Sequence, residues 1–333
     1  MINSHSNVYP IFGGNMKKTF AAAFALVLAA SLTTVSCEKK SGGKIKIGVI
    51  QLVEHPALDA SYKGFVDGLK AAGYIDGQNI IIDYHNAQGE QINCVTIAEK
   101  LVNDNDNLIL AIATPAAQSV ANLTKKIPIL VTAVTDPESA KLVNSNEMPG
   151  TNVSGTSDLT PCAAQIELIK KIVPDVKTIG MLYCSSEQNS HFQIALAKRM
   201  CDTLGIKYID GTVSNSNELQ QVTQNLCSKA DAIYAPTDNM IAAGMATVAQ
   251  VTLENKKAVI PGAIEMVESG GLATYGINYY ELGKQTAEMA VEILRDGKNP
   301  AEMPIQYLKK YEVSVNENTA KAIGINTAGL KDN

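Results

Sequence analysis

An alternation written twice along this chain narrows its folding choices more than anything else: a short apolar run, then a stretch whose apolar residues recur at helical spacing. KIKIGVIQLV, Lys44 to Val53, begins by alternating and becomes continuously apolar, as a parallel strand covered on both faces does. Tyr62, Phe65, Val66, Leu69 and Ala72 then fall on one helical stripe, which Gly73 stops. Asn79 to Tyr84 continues as strand, Ile92 to Val102 as helix, Leu108 to Ala113 as strand, Pro115 to Leu123 as helix and Ile127 to Val134 as strand. Strands and helices alternating at this period imply parallel strands joined by helical crossovers, a doubly wound α/β sheet.

After EMPGTNVSGTSDLTP the programme restarts. Thr178 to Tyr183, Asp231 to Ala235, Ala258 to Ala263 and Leu272 to Ile277 read as strands. Phe192 to Leu204, Gln220 to Leu226, Ile241 to Val251 and Leu282 to Leu294 read as helices. Two α/β units of similar size predict two similar parallel-sheet lobes. No low-complexity tract separates them, so the link runs through structured segments whose ends can serve as a hinge. The stretch from Lys44 onward, about 290 residues, suits two domains. A 46% hydrophobic content supplies their cores, and with 18% charged residues, a net charge of -5 and no basic stripe, nucleic acid is not expected as a partner.

Residues 16–37 read MKKTFAAAFALVLAASLTTVSC: two lysines, an apolar block, then small and hydroxyl residues. This is the layout of a secretory signal over 16–36, with a block shorter than the roughly 20 residues that span a bilayer. Cys37 stands where cleavage would fall and opens a polar tether over 37–43. That placement resembles the bacterial lipoprotein signal, although Thr34 occupies the position where the pattern favours Leu. Two readings stay open: Cys37 carries lipid and holds the protein to a membrane, or the signal is an ordinary one and the thiol is free. Residues 1–15 have no signal character, which makes Met16 the more natural start. Cys94, Cys162, Cys184, Cys201 and Cys227 are odd in number and widely spaced, so they do not form a disulfide framework.

Ligands of parallel sheets bind beyond the carboxyl ends of the strands, so the residues after each strand are the candidate site. They are His55, then Thr114, Ala116 and Gln118, then Thr135 and Asp136, then Ser157 and Asp158. The second half adds Ser186 and Asn189, then Thr237, Asp238 and Asn239, then Glu265. The helix opened by Thr114 offers free N–H groups to a carboxylate. Asp238 and Asp136 offer charge to an ammonium. Together they suit a zwitterion such as an amino acid. Each polar residue taken singly is as readily a helix cap, and His55 as readily packs in a loop. Recurrence on one edge of both lobes is what points to a site.

Catalytic patterns are missing from the sequence. It contains neither G-x-S-x-G nor H-E-x-x-H. Its four histidines are far apart, so neither a histidine-rich metal site nor a cofactor is expected. A solute receptor is the first reading. The alternatives are the same fold holding a sugar or nucleoside, and an α/β enzyme of the cell envelope that would use Ser186 or Asp158.

IGVIQLVEHPALDASYKGFVDGLKAAGY, ILAIATPAAQSVAN, VTAVTDPESAKLV, VSGTSDLTP, YAPTDNMI and YGINYYELGKQTAEMA together resemble the ABC-transporter substrate-binding proteins that include tryptophan- and tyrosine-binding lipoproteins. The resemblance covers nearly all of the chain beyond Lys44. It implies a type I periplasmic-binding fold whose lobes, 44–156 with 278–306 and 157–277 with 307–330, are joined by three crossovers. It further implies closure around a solute, with an aromatic amino acid foremost, and delivery to a membrane permease driven by an ATPase. By that resemblance Tyr62, Tyr279 and Tyr280 are candidates to face a ring.

Overall fold

The computed structural model describes Tyr9 and residues 43–330. The leader, signal and tether expected over 1–43, with Cys37, therefore lie outside the described residues, Tyr9 and Gly43 apart. From Lys44 the chain runs β1 (Ile45–Gln51), α1 (Pro56–Ala71), β2 (Ile80–Asn86), α2 (Gln91–Asn103), β3 (Leu108–Ile112), α3 (Thr114–Leu123), β4 (Ile129–Val134) and β5 (Val153–Ser157). It continues as α4 (Cys162–Ile172), β6 (Thr178–Cys184), α5 (Gln188–Leu204), β7 (Lys207–Val213), α6 (Leu219–Lys229), β8 (Ala232–Ala235), α7 (Asn239–Ala243), α8 (Met245–Glu254), β9 (Ala258–Pro261) and α9 (Ile264–Glu268). It ends with β10 (Ala273–Gly276), α10 (Tyr279–Asp296), β11 (Gln306–Tyr307), β12 (Glu312–Val315) and α11 (Glu317–Ile323). No described helix is long and apolar enough to cross a membrane.

The first sheet has the order β11-β5-β4-β3-β1-β2, and every pairing in it is parallel. The second has the order β7-β6-β8-β9, again all parallel. In each half the second strand lies outside the first and the third and fourth follow on the other side, so one winding occurs twice. Leu272 to Ile277 departs from that pattern. Its strand, β10, forms an antiparallel ribbon with β12.

Three passages carry the chain between the halves: from β5 to α4, from β10 to α10, and from β11 to β12. The second of them returns α10 to the first sheet, where it packs along α1 and against β4 and β5. Glycine allows that approach. A Cβ on Gly64 would overlap the Tyr280 carbonyl, and one on Gly283 would overlap the Ser61 carbonyl. Strands β3 and β4 are buried along their whole length, and Phe65 and Leu69 of α1 and Leu282, Ala287 and Ala290 of α10 close over them. The second half has its own core around Met181, Tyr234 and Ile260. The structure is thus two doubly wound α/β lobes joined through three crossovers.

Candidate functional site

The loops that follow strands in both sheets meet around one cavity. It is lined by His55, Ala57 and Leu58 after β1, Ala133 at the end of β4, Asp158 after β5, Thr237, Asp238, Asn239 and Ala242 after β8, Ala263 and Met266 after β9, and Tyr279 after β10. Its walls stand close together.

Asp158 is the acid with capacity to spare. It is 4% exposed, and its Oδ2 accepts from the Tyr279 hydroxyl at 2.6 Å. Its Oδ1 is buried and has no hydrogen-bond partner. Burial pushes the Asp158 carboxyl up, against hydrogen bonding from Tyr279 and Thr135. Asp238 is different. Its Oδ1 caps α7 through the Ile241 N–H at 2.9 Å, and its Oδ2 accepts the Cys184 N–H and the Ser190 hydroxyl, both at 2.6 Å. Its oxygens are engaged within the loop frame, where the sequence reading set Asp238 against a ligand ammonium.

A buried carboxylate beside it organises the same wall. Glu187 accepts the Asn239 N–H at 3.2 Å and Asn239 Nδ2 at 2.6 Å, the Met240 N–H at 3.1 Å and Asn189 Nδ2 at 2.9 Å. Burial and the nearby Asp238 push Glu187 up to about 8. His55 reaches this wall from the first lobe, with Nε2 3.4 Å from Asn239 Oδ1. Burial lowers its pKa to about 4, so the ring is neutral at pH 7.

Other contacts join the lobes. Thr135 Oγ1 lies 3.4 Å from Thr237 Oγ1 and accepts from Gln193 Nε2 at 3.3 Å. At the rim Gln118 Nε2 donates to Gln188 Oε1 at 2.8 Å and to the Ala140 carbonyl at 3.1 Å, while Gln188 Nε2 donates to the Ser139 carbonyl. Backbone strain collects at the strand ends facing this cleft. Ala113 has φ 81° and ψ 153°, and Ala133, in a β-bulge against β5, has φ 53°. Such conformations cost a residue with a side chain about 1–3 kcal/mol and persist where surroundings enforce them.

Of the residues expected in the site, His55, Asp158, Thr237, Asp238 and Asn239 line the cavity. Thr135 and Asn189 adjoin it through hydrogen bonds to Thr237. Glu265 sits next to the lining Met266, half-buried, with Oε2 unpartnered and its pKa pushed up to about 7 by burial. The others serve elsewhere. Thr114 and Ala116 are buried at the start of α3, outside the lining, and Gln118 is spent at the rim. Asp136 folds back on its own loop, accepting the Ser139 N–H at 2.6 Å and Asn146 Nδ2 at 3.0 Å. Ser157 donates to the Thr135 carbonyl at 2.6 Å, and Ser186 is exposed beside Cys184 Sγ at 3.2 Å.

α1, rather than α3, starts on the cavity: His55 precedes it without a side-chain cap, and its first internal bond is from the Asp59 N–H to the His55 carbonyl. The Ala57 and Leu58 N–H groups, ahead of that bond, have no partner within the helix. Of the three tyrosines, only Tyr279 lines the cavity. Tyr62 stacks on Tyr84 with centroids 4.6 Å apart, and the Tyr280 hydroxyl donates to Asp67 at 3.1 Å. The expected list omitted Glu187, Ala57, Leu58, Ala133, Ala242, Ala263 and Met266. Position after a strand was the available signal for Glu187, but nothing local marks the apolar ones. No cluster of three or more metal-binding side chains occurs among the described residues.

Comparison with known proteins agrees with this architecture. Residues 46–329 match the family model described as ABC transporter substrate binding protein. A protein of Clostridioides difficile named tyrosine-binding protein is 41% identical over 320 residues, covering 92% of each chain. A Streptococcus pneumoniae structure described as an ABC domain in complex with L-Trp is 41% identical, with a TM-score of 0.83 over 86% of this chain and 97% of that one. A Clostridium difficile substrate-binding protein with adhesive properties, solved ligand-free and open, is 45% identical, with a TM-score of 0.66 over 86% of this chain and 96% of that one. Two lobes meeting over one small cavity, and a family match that spans nearly all the described residues, place this chain in the ABC transporter substrate-binding protein family, extracytoplasmic receptors that hand a solute to an ATPase-driven permease rather than transform it.

Proposed function

We propose that this receptor closes on a free amino acid with an aromatic side chain. The observation that carries the reading is the buried, unpartnered Oδ1 of Asp158 in a cavity that also meets an uncapped helix start. Asp158 takes the ammonium. The Ala57 and Leu58 N–H groups, at the positive end of α1, take the carboxylate. Ala133, Ala242, Ala263 and Met266 supply an apolar wall for a ring beside Tyr279. The tyrosine named for one relative and the tryptophan bound to another support the aromatic part. The lobes are taken as 44–156 with 278–306 and 157–277 with 307–330, and lipid on Cys37 keeps the receptor near its permease.

Calorimetric titration of the mature protein with each of the twenty amino acids tests the ligand. Saturable heat with tyrosine or tryptophan is expected, and flat traces throughout would reject the reading. The mass of the mature amino terminus extracted from membranes tests the lipid, with acyl chains on Cys37 as the expected result.

A further inference from the structure

The cavity holds a second acceptor whose state is set two residues away. Glu187 receives four N–H groups, two of them from Asn239. Asn239 Nδ2 lies 2.6 Å from Glu187 Oε2, so Oδ1 is the end that faces His55 Nε2. An amide oxygen only accepts, so Nε2 carries the ring proton and Nδ1 keeps its lone pair. The low pKa of His55 agrees with a neutral ring. The titratable groups around it are Glu187 and Asp238 on the second-lobe loops and Asp158 and Tyr279 at the crossovers, and no Lys or Arg lines the cavity. An ammonium brings three donors, and Asp158 offers it one free oxygen.

We propose that His55 Nδ1 accepts a hydrogen bond from the ligand ammonium alongside Asp158, and that Glu187, acting through Asn239, is the positioning residue that fixes the ring tautomer. This rests on the amino-acid reading above. It predicts a loss of affinity confined to ligands that carry an ammonium, which packing alone would not produce.

The test titrates the mature receptor at pH 7.5 with L-tryptophan and with indole-3-propionate, which lacks the ammonium. His55→Leu is expected to weaken L-tryptophan by about ten- to a hundredfold, the range for hydrogen bonds to charged groups, and to leave indole-3-propionate as in the wild type. His55→Gln restores part of the loss. Nitrogen NMR of the histidine-labelled complex reads the tautomer directly: Nε2–H is expected for His55, with a shift toward Nδ1–H in Glu187→Gln. Equal weakening of both ligands by His55→Leu, or an Nδ1–H ring in the wild-type complex, would overturn the proposal. A wild-type protein that binds no amino acid would instead overturn the reading beneath it.

Discussion

Asp136, Asp158 and Asp238 look alike in the sequence, each an acid just past a strand, and their oxygens tell them apart. Asp158→Asn should weaken amino-acid binding about tenfold or more, because a charged hydrogen bond to the ammonium is lost, while the denaturant midpoint stays close to that of the wild type. Asp238→Ala should do the reverse. It strands three donors that are now satisfied, at about 1–3 kcal/mol for each buried group, so a stability loss of several kcal/mol is expected in urea unfolding, with near-normal affinity in the folded fraction. Comparable affinity loss in both variants would refute the distinction. Partners separated by about fifty positions, Cys184 and Ser190 for Asp238, make this difference, which is why local sequence does not tell the three acids apart. His55 adds a titration. Its folded pKa of about 4 lies below 6.5, so between those values the unfolded chain binds more protons and stability falls as pH falls. About 3 kcal/mol is lost across the window at 1.36 kcal/mol per unit. Glu187 and Glu265, raised to about 8 and about 7, slope the other way from about pH 4.5 up to those values. Subtracting the His55→Gln stability profile from that of the wild type isolates the histidine contribution, and a flat difference between pH 4 and pH 6.5 would contradict it.

Elements with one clear period were legible: β1, β3, β4, α1 and α10 follow from apolar spacing alone. β5 was not, because VSGTS reads as a loop. Its hydroxyls are satisfied inside the protein, Ser154 by the Met303 carbonyl at 2.6 Å and Thr156 by Thr132 at 3.1 Å and Thr286 at 2.8 Å, so a polar strand can be fully buried. Only Gly fits at 155, where φ is 145° and a Cβ would overlap the Val131 carbonyl. β7 escaped for the opposite reason. It is an edge strand with exposed Lys207, Tyr208, Asp210 and Thr212, and its sequence lacks the apolar run of a covered strand. The α1–α10 contact is where an element-level prediction is sharpest. Gly283→Ala places a methyl on the Ser61 backbone, which no rotamer change relieves, so overpacking of about 1–3 kcal/mol is expected. If Gly283→Ala unfolds at the wild-type denaturant concentration, the close approach of the helices is not what fixes α10 on the first lobe.

At the scale of the whole molecule the lobes are drawn together. The resemblance is greater to the L-Trp complex, at TM-score 0.83, than to the open ligand-free relative, at 0.66, even though the open relative is the more similar of the two in sequence. Side-chain hydrogen bonds from Gln118, Gln188, Gln193, Thr135 and His55 bridge the gap, so closure carries contacts of its own besides those with a ligand. Gln188 makes two of them at the rim, outside the cavity lining. Net neutral hydrogen bonds are worth about 1 kcal/mol each, so Gln188→Ala should shift the open–closed equilibrium toward open by roughly five- to thirtyfold. A ligand that holds only the closed form senses that shift as a loss of apparent affinity, by the full factor where the closed form is the minor one and by less where it is already well populated. The loss should therefore be equal for tyrosine, tryptophan and any weaker ligand, and should arise mainly in faster release. Small-angle scattering of the ligand-free variant should report a larger radius of gyration than the wild type, converging with it at saturating ligand. A loss confined to one ligand would mean that Gln188 touches the solute, and unchanged scattering with unchanged release would mean that the rim bonds do not hold the lobes together.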